Sequence, residues 1–346
     1  MTAKHGGTKI TINYVAEKAG VSKTTVSRFL NGRFEMISAD TRERIASVVE
    51  ELDYRPNRIA QSLKSRSSRT IGCLVSDIGS PFSSILVKGI SSVLNEQGYR
   101  LILADSEDNP VNERNAIDSF LESQVDGLIV NSTGANDRFL LQLRDNGLPV
   151  VFADRCLSIP GEIDTVETNN TEMTCSCMQY LSRMGYTKVG FFANGIGKNT
   201  TRMARLSGYL KTMEEVFGYD GRDTVYEYVS HGDGSGCADK ILKFITTYSQ
   251  ERVALFAVNG VAMLDILNAL QKMKLQAGAD VGVCGFDNWG WADLIPPGIT
   301  TIAQDSFAVG AEAAKIILDR LSGEGDPACR KIVLPSKLEV RGSTVR

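Results

Sequence analysis

The sequence predicts two kinds of structure in one chain: a small all-α headpiece, followed by an α/β body of two doubly wound lobes. Three observations support this. Apolar residues recur at helical spacing around a Gly-containing turn near the N-terminus, and strand-like apolar runs alternate with amphipathic helices from residue 70 onward. The length of 346 residues also exceeds one typical domain. We therefore expect two or three domains.

Composition narrows the class of protein. A hydrophobic share of 42% and a charged share of 23% are those of an ordinary globular protein. No apolar run is long enough to cross a bilayer, and residues 1–10 lack the apolar segment of a secretory signal. We therefore expect a cytoplasmic protein without a membrane partner.

The cysteines and histidines exclude the commonest metal and disulfide patterns. The seven cysteines form no Cys-x-x-Cys pair, and only two histidines accompany them. Most of the cysteines lie inside apolar runs such as IGCLV and VGVCGF. We expect buried free thiols, no metal site and no cofactor.

The net charge of −3 conceals an asymmetry along the chain. Residues 1–69 carry 13 Lys or Arg against 7 Asp or Glu, whereas the remainder carries 25 against 34. A basic head on an acidic body suits a polyanionic partner at one end only. A merely solvated positive helical domain would give the same balance, so the charge alone does not decide.

The headpiece begins with two short helices joined by a tight turn. Thr11 stands where an N-cap belongs, and Gly20 supplies the permissive backbone that ends the first helix. Ser22 can cap the second helix. The apolar residues of the two helices fall on one face of each: Ile12, Val15, Ala16 and Ala19, then Val26, Phe29 and Leu30. This spacing predicts a helix-turn-helix.

In that motif the N-terminal residues of the second helix face the major groove of DNA. Here they are Lys23, Thr24, Ser27 and Arg28. Lys and Arg can donate to guanine N7 and O6, and Thr can contact a thymine methyl or a phosphate. The alternative is a small three-helix bundle with a polar outer face. Ser38 caps a predicted third helix, Pro56 breaks the chain after it, and residues 64–70 are Ser- and Arg-rich, as linkers are.

The N-terminal region resembles the LacI/GalR family of bacterial transcriptional regulators in three motifs: VAEKAGVSKTTVSRFLNG, DTRERI and YRPNRIAQSLKS. The resemblance runs over essentially the whole chain. It implies a helix-turn-helix domain at 8–55, a hinge helix and linker at 56–69, and an effector-binding and dimerisation domain at 70–346. It also implies two Rossmann-like lobes of periplasmic-binding-protein type, the N-lobe at about 70–167 and 304–331 and the C-lobe at about 168–303 and 332–346.

The resemblance also implies roles on DNA. Lys23, Thr24 and Arg28 match base-reading positions, while Thr11, Ser22, Ser27 and Asn31 match phosphate-contacting ones. Residues 57–63 match a hinge helix that enters the minor groove as a pair across a homodimer. Its contacting positions are Asn57, Ala60 and the wedge Leu63. Tyr14 departs from the family, which carries Asp there, and we expect it to donate to the DNA backbone instead.

The body shows seven apolar runs with the pattern of buried parallel strands: TIGCLVS, YRLILADS, VDGLIVNS, LPVVFAD, KVGFFAN, VALFAVN and VGVCGFD. Ligands on doubly wound sheets bind beyond the carboxyl ends of the strands. Polar and aromatic residues that follow these runs suit a polyol. The resemblance places Phe82, Arg202, Asn259, Asp287 and Gln304 at effector-contacting positions. We add Asp77 and Trp289, although Trp289 could equally cover the interface between the lobes.

Two departures from the family bear on the effector. Gly260 stands where an Asp usually follows the Asn, and Ser83 replaces a second Phe. Loss of an acid while Arg202 remains favours an anionic effector. The segment FDNWGW also resembles regulators of sugar-acid operons, such as those for 2-keto-3-deoxygluconate or gluconate. A sugar acid is therefore preferred over a neutral sugar.

The leading hypothesis is a homodimeric, sequence-specific repressor that binds double-stranded operator DNA under the control of a small-molecule effector. An enzyme is disfavoured, because the chain has no GxSxG, Walker or GxGxxG motif in the required context. A plain solute-binding protein is disfavoured by the headpiece and by the missing signal sequence. Asp154 and Arg155 follow a predicted strand, but a capping role is as plausible as a ligand contact. Arg205 is expected to pack rather than bind.

Overall fold

The computed structural model describes residues 10–30, 32–54, 67–323 and 326–345. These separate into two compact units, a headpiece within residues 1–68 and a body within residues 69–346. Each unit has its own hydrophobic core. The predicted division between a small helical region and a large α/β region is confirmed in the fold.

The headpiece consists of helices α1 (Ile12–Ala19), α2 (Lys23–Leu30) and α3 (Ala39–Glu51). The Thr11 hydroxyl accepts a hydrogen bond from the Tyr14 amide at 3.4 Å, and the Ser22 hydroxyl accepts one from the Thr25 amide at 3.1 Å. Gly20 ends α1 with φ +63°, a left-handed conformation that favours glycine. The three helices bury a core of Val15, Ala16, Ala19, Val26, Ile45 and Tyr54.

The body begins with the first part of one lobe: β1 (Thr70–Val75), α4 (Pro81–Glu96), β2 (Arg100–Asp105), α5 (Pro110–Glu122), β3 (Gly127–Val130), α6 (Asp137–Asp145), β4 (Val150–Ala153) and β5 (Asp164–Thr168). The chain then crosses to a second lobe: α7 (Asn170–Arg183), β6 (Lys188–Ala193), α8 (Thr200–Thr212), β7 (Val225–Glu227), α9 (Ser235–Thr247), β8 (Val253–Ala257), α10 (Gly260–Met273), β9 (Gly282–Phe286) and β10 (Thr300–Ala303). It returns for α11 (Ser306–Ser322) and β11 (Lys331–Leu334), and ends in the second lobe with β12 (Lys337–Glu339).

Each lobe is built on a six-stranded sheet. The strand orders are β11-β5-β4-β3-β1-β2 and β12-β10-β9-β8-β6-β7. All pairings are parallel except β12 against β10, in which Ile302 lies opposite Leu338. Helices cover both faces of the sheets, which explains why most of the strands are continuous apolar runs. This is the predicted doubly wound architecture, and it places the carboxyl ends of the parallel strands at one edge of each sheet.

Three crossings join the lobes, and the third lies later than predicted. The first two fall between Thr168 and Asn170 and between Ala303 and Ser306, close to the predicted limits. The predicted limit at 331/332 is displaced, because β11 pairs in parallel with β5 and so belongs to the N-lobe. Pro335 follows β11 and ends it, and the chain crosses there.

The prediction that YRLILADS is a buried strand is wrong in one respect. This run forms β2, a parallel strand, but β2 is the last strand of its sheet. Ile102 and Leu103 are 39% and 36% exposed. An edge strand has a neighbour on one side only, so an apolar run alone does not distinguish it from a central strand.

Candidate functional site

A cavity of about 440 Å³ lies between the two lobes of the body. The size is within the usual range for a small-molecule site. All seven residues predicted to contact an effector line this cavity: Asp77, Phe82, Arg202, Asn259, Asp287, Trp289 and Gln304. The structure therefore brings together residues that are separated by up to 227 positions in the sequence.

The fold explains why these side chains meet. Asp77 follows β1, Asn259 follows β8 and Asp287 follows β9, each at the carboxyl end of a parallel strand. Helices α4, α8 and α10 begin at the same cleft, through Ser80, Asn199 and Asn259. Helix N-termini present unpaired amide hydrogens and a partial positive charge. The cleft therefore combines acidic and amide side chains with three positively polarised helix ends.

Arg205 is a structural support of the cleft. Its guanidinium is buried and donates to Asn170 Oδ1 at 2.8 Å, to the Val258 carbonyl at 2.7 Å and to Gln304 Oε1 at 3.1 Å. The guanidinium carbon also lies 3.6 Å from the centroid of the Phe286 ring. All three of its nitrogens are thus engaged by protein, as the sequence-based prediction of a packing role anticipates.

Asp287 and Gln304 form a second fixed unit. The Asp287 carboxylate accepts from the Gly260 amide at 2.8 Å and from Gln304 Nε2 at 2.6 Å. Gln304 Oε1 accepts in turn from the Thr168 hydroxyl at 2.8 Å. Asp287 has φ +79°, so the chain turns sharply after β9 to hold this carboxylate over the start of α10. The two residues join the first turn of α10 to the crossing segments.

A charged cluster spans the cleft from lobe to lobe. Asp108, which lies between β2 and α5, accepts from Arg155 Nη1 at 2.8 Å and lies 3.4 Å from Arg202 Nη1 on α8. Burial alone would raise the pKa of Asp108, but the charges of the two arginines and the Arg155 hydrogen bond hold it below its usual value. Burial lowers the pKa of Arg202 to about 10. Both groups are therefore charged at neutral pH.

Three buried polar atoms that line the cavity have no hydrogen-bond partner: Asp154 Oδ1, Arg155 Nε and Asn194 Oδ1. Only five such atoms occur among the described residues. Burial raises the pKa of Asp154, with Arg205 and Arg155 opposing the shift. Orphaned buried groups are uncommon because desolvation is costly, so their concentration here marks a place where a ligand would supply partners.

Aromatic and small residues complete the cavity wall. Phe82 lies at the start of α4 and Trp289 follows Asp287, and both line the cavity. Ser83, one of the two departures from the family pattern, is buried and also lines it. Gly260, the other, lies directly under the Trp289 indole.

Sequence reasoning missed Asp108, Asn131 and Ser76, which also line the cavity. Asp108 follows β2, so the rule that ligands bind beyond strand ends could have found it. Asn131 follows β3 and donates to Asp154 Oδ2 at 3.2 Å, which the same rule could have identified. Asp154 and Arg155, for which capping and binding were left open, also line the cavity.

The headpiece presents its predicted contact residues on its surface. Lys23 and Thr24 are exposed in the first turn of α2, and Tyr14 is 43% exposed at the start of α1. Ser27 and Arg28 are half-buried one turn further along α2, while Thr11 and Ser22 are exposed caps. The predicted contacts Asn31, Asn57, Ala60 and Leu63 lie outside the described residues.

Metal and membrane features are not evident in the described part of the chain. No group of three or more His, Cys, Asp or Glu residues there could hold a metal ion. None of its helices is both long and apolar enough to span a membrane. The seven cysteines are free thiols, with Cys73, Cys177, Cys237 and Cys284 buried as expected and the other three half-buried.

Comparison with known proteins locates two family models on the chain. Residues 11–57 match the model described as bacterial regulatory proteins of the lacI family. Residues 178–344 match the model described as a periplasmic binding protein-like domain.

Similarity to individual proteins extends over the whole chain. The HTH-type transcriptional regulator KdgR of Bacillus subtilis is 35% identical, with 96% of this chain and 97% of that protein covered. The HTH-type transcriptional regulator PtxS of Pseudomonas putida is 32% identical, with 98% and 97% covered.

Solved structures agree on the fold. A complex of the transcriptional regulator CelR with cellobiose has a TM-score of 0.70 at 27% identity and covers 96% of this chain and 99% of that chain. The lac repressor dimer bound to operator and the anti-inducer ONPF has a TM-score of 0.83 at 24% identity, with 98% and 100% covered.

Proposed function

This chain belongs to the LacI family of bacterial regulatory proteins and is a DNA-binding transcriptional regulator; on that premise we propose that a sugar acid bound between the lobes controls its binding to operator DNA. The protein is then a homodimeric repressor of a carbohydrate or sugar-acid utilisation operon. It acts in the cytoplasm, at the bacterial nucleoid.

The observation that carries the effector part is the set of orphaned polar atoms in the cavity. Asp154 Oδ1 and Asn194 Oδ1 are acceptors, and Arg155 Nε is a donor. A polyhydroxylated molecule satisfies all three, because each hydroxyl can both donate and accept. Ligand hydroxyls would remove the desolvation cost of these groups, and that gain favours the bound state.

The available charges support an acidic ligand. Asp108 is already paired with Arg155 and Arg202, and the Asp287 carboxylate is satisfied by the Gly260 amide and Gln304. Among the described residues, the Arg202 guanidinium makes its hydrogen bonds and its ion pair through Nη1, which leaves Nε and Nη2 as donors. A guanidinium can bind a carboxylate through two such nitrogens. We therefore place the carboxylate of the effector at Arg202.

The headpiece supports the DNA part. Lys23 and Thr24 are exposed in the first turn of α2 and Arg28 lies one turn later, and a helix-turn-helix presents the N-terminal part of its second helix to base edges. Two-fold symmetry of a dimer would place two such helices on a near-palindromic operator. The hinge predicted at residues 57–63 connects the two units, so effector binding in the body would change the affinity of the headpieces for DNA through it.

The homodimer is supported by the edge of the N-lobe sheet. Ile102 and Leu103 project from β2, the outermost strand of that sheet, and are exposed in a single chain. Adjacent residues of a strand point to opposite faces of the sheet, so Ile102 and Leu103 make both faces of this edge apolar. An uncovered apolar edge is prone to association. A second copy of the chain would cover it.

The test combines ligand screening with operator binding. The melting temperature of the intact protein is measured with D-glucose, D-gluconate or 2-keto-3-deoxy-D-gluconate. In a separate assay with the same compounds, fluorescence anisotropy follows its binding to DNA from upstream of its own gene. We expect the acids to raise the melting temperature and to change operator affinity at concentrations where D-glucose does neither. Stabilisation by the neutral sugar alone would refute the carboxylate assignment.

A pair of arginine variants sharpens the test. Arg202→Ala should remove the response to the acids while leaving operator binding in their absence. Arg222→Ala is the matched control, because the Arg222 side chain is 76% exposed and lies outside the cavity. An unchanged response in Arg202→Ala, or no compound that alters operator binding, would contradict the proposed effector site.

A further inference from the structure

At the edge of the cavity, the Trp289 indole fills the space that a side chain at position 260 would need. Gly260 is the first residue of α10 and is buried. A Cβ atom at this position would lie 2.3 Å from Trp289 Cη2, 2.5 Å from Cζ2 and 2.6 Å from Cζ3. Carbon atoms do not approach so closely without repulsion, because their optimal separation is about 3.5–4.0 Å. Trp289 can therefore lie where it does only because residue 260 has no side chain.

Helix preference does not explain a glycine here. Glycine is disfavoured within helices relative to alanine, and Gly260 does not lie in the left-handed region that would require it. Its amide is used, since it donates to Asp287 Oδ2 at 2.8 Å, but any residue other than proline could supply that amide. The remaining property is its lack of volume, which accommodates the indole.

Asp287, Gly260 and Trp289 thus form one unit. The carboxylate of Asp287 holds the start of α10, and two residues later the indole covers that same turn and faces the cavity. Trp291 packs edge-on against Trp289, with ring centroids 6.5 Å apart. Three contacts therefore fix the indole: the glycine, the second tryptophan and the short connection to Asp287.

We propose that Gly260 is a specificity-determining residue, which seats Trp289 as a flat wall of the cleft, and that this wall selects an effector in its ring form. The inference rests on the proposed function, since it concerns the same cleft. An indole offers a large rigid apolar face, and the ring of a cyclised sugar acid offers a continuous row of C–H groups to pack against it. An open-chain acid of the same charge presents no such face and loses more conformational freedom on binding.

The contact between the two residues is tested without any ligand. Gly260→Ala should lower the melting temperature when Trp289 is present. In a Trp289→Ala background the same change should leave it unchanged or raise it, because alanine is the better helix former once space is available. An equal decrease in both backgrounds would overturn the proposed contact.

Fluorescence reports on the indole directly, because the chain has two tryptophans only. Trp291→Phe leaves Trp289 as the sole emitter. It keeps an aromatic ring at position 291 and removes an indole nitrogen that is buried without a partner. In this background Gly260→Ala should increase the quenching of Trp289 by acrylamide, and Leu264→Ala, a change on the same helix outside the cavity, should not. Unchanged quenching in Gly260→Ala would overturn the proposal.

The ligand class is tested with two acids that carry the same charge. 2-Keto-3-deoxy-D-gluconate closes to a hemiketal ring, whereas D-gluconate is an open chain at neutral pH. Both acids are titrated into the Trp291→Phe protein. The ring-forming acid should change Trp289 emission at a concentration up to about tenfold lower than D-gluconate does, which is the gain that a stacking contact of ordinary strength gives. Gly260→Ala should abolish that preference.

The two failures are distinguishable. Equal responses to both acids, a preference for D-gluconate, or no emission change with either would overturn the ring-form assignment. The proposed function would still stand if the acids altered operator binding in the anisotropy assay. If no acid altered operator binding, the proposed function itself would be wrong.

Discussion

Two arginines on one helix have different tasks in the cleft. Arg202 and Arg205 are three residues apart on α8, so they lie on the same side of the helix. The Arg205 guanidinium donates hydrogen bonds to Asn170, Val258 and Gln304 through all three of its nitrogens. In the described part of the chain, the Arg202 guanidinium donates through Nη1 only. Hydrogen-bond partners distinguish the supporting arginine from the one to which we assign effector binding. The residue type does not.

Removal of Arg205 should therefore destabilise the body. Arg205→Ala removes a positive charge beside Asp287 and Asp154 and leaves Gln304 Oε1 without one of its donors. We expect the free energy of unfolding to fall by about 3–5 kcal/mol, the range observed when one partner of a buried charge cluster is deleted. Urea denaturation of the body measures this. Arg222→Ala should cost no measurable stability, and equal losses in the two variants would contradict the assigned roles.

Two acids of the cleft should give opposite pH dependences. Burial raises the pKa of Asp154, so its contribution to stability is complete at acid pH and is lost as the pH rises through its folded-state pKa. The arginines hold the pKa of Asp108 down against its burial. Its contribution is therefore present at neutral pH and is lost as the pH falls through its folded-state pKa.

Asparagine variants measured from about pH 2.5 to pH 8 separate the two, because the contribution of Asp108 changes only below its ordinary pKa. Asp154→Asn mimics the protonated acid, so its stability relative to the wild type should improve as the pH rises. Asp108→Asn should become less stable relative to the wild type over the same range. Parallel pH profiles for the two variants would show that the opposed environments of these carboxyls are assigned wrongly.

The sequence predicts which loops form the candidate site, but it does not predict which side chains within those loops contact one another. Strand-end placement located Asp77, Asn259 and Asp287 because topology alone brings those loops together. Asp108 also follows a strand, β2, but its ion pairs with Arg155 and Arg202, 47 and 94 positions away, could not be predicted from sequence. The fit of Trp289 onto Gly260 is likewise a matter of side-chain volume in three dimensions, which no local pattern records.

At the scale of elements, local chemistry determined the headpiece most completely. The caps at Thr11, Ser22 and Ser38 and the left-handed Gly20 are all interactions within four residues, so the sequence specifies them directly. β2 is the opposite case. Its apolar run is common to central and edge strands, and only the strand order shows that it has one neighbour.

The exposed start of α2 should determine operator affinity. Lys23→Ala and Arg28→Ala should each weaken binding by about tenfold or more, since a specific base contact contributes about 1–3 kcal/mol. Loss of a phosphate contact would instead reduce the dependence of affinity on salt concentration by about one counterion. Fluorescence anisotropy over a salt series distinguishes the two.

A matched variant controls for net charge. Arg44→Ala removes the same charge from the exposed surface of α3 and should weaken binding less than Arg28→Ala. Equal losses in the two variants would mean that α2 is not the element that reads the bases.

For the whole molecule, the cleft is held by contacts that pass between the lobes. Asp108 meets Arg202, and the Thr201 hydroxyl donates to the Asp154 carbonyl at 2.8 Å. The third crossing, after Leu334, adds a strand to each lobe from one short segment. Its position could not be predicted from sequence, because KIVL and KLE pair with strands far away in the chain. A ligand that binds residues of both lobes would favour this arrangement over one in which the lobes are apart.

A charge on strand β2 should break the homodimer. Leu103→Glu places a charge on the exposed face of β2, and a charged edge strand does not associate. We expect this variant to be monomeric by light scattering. Its operator affinity should fall by about a hundredfold or more, because a dimer binds its second half-site at a high effective concentration. Leu294→Glu is the control: Leu294 is 78% exposed but lies outside the strands, so the dimer should persist. A dimeric Leu103→Glu protein would show that another surface holds the two copies together.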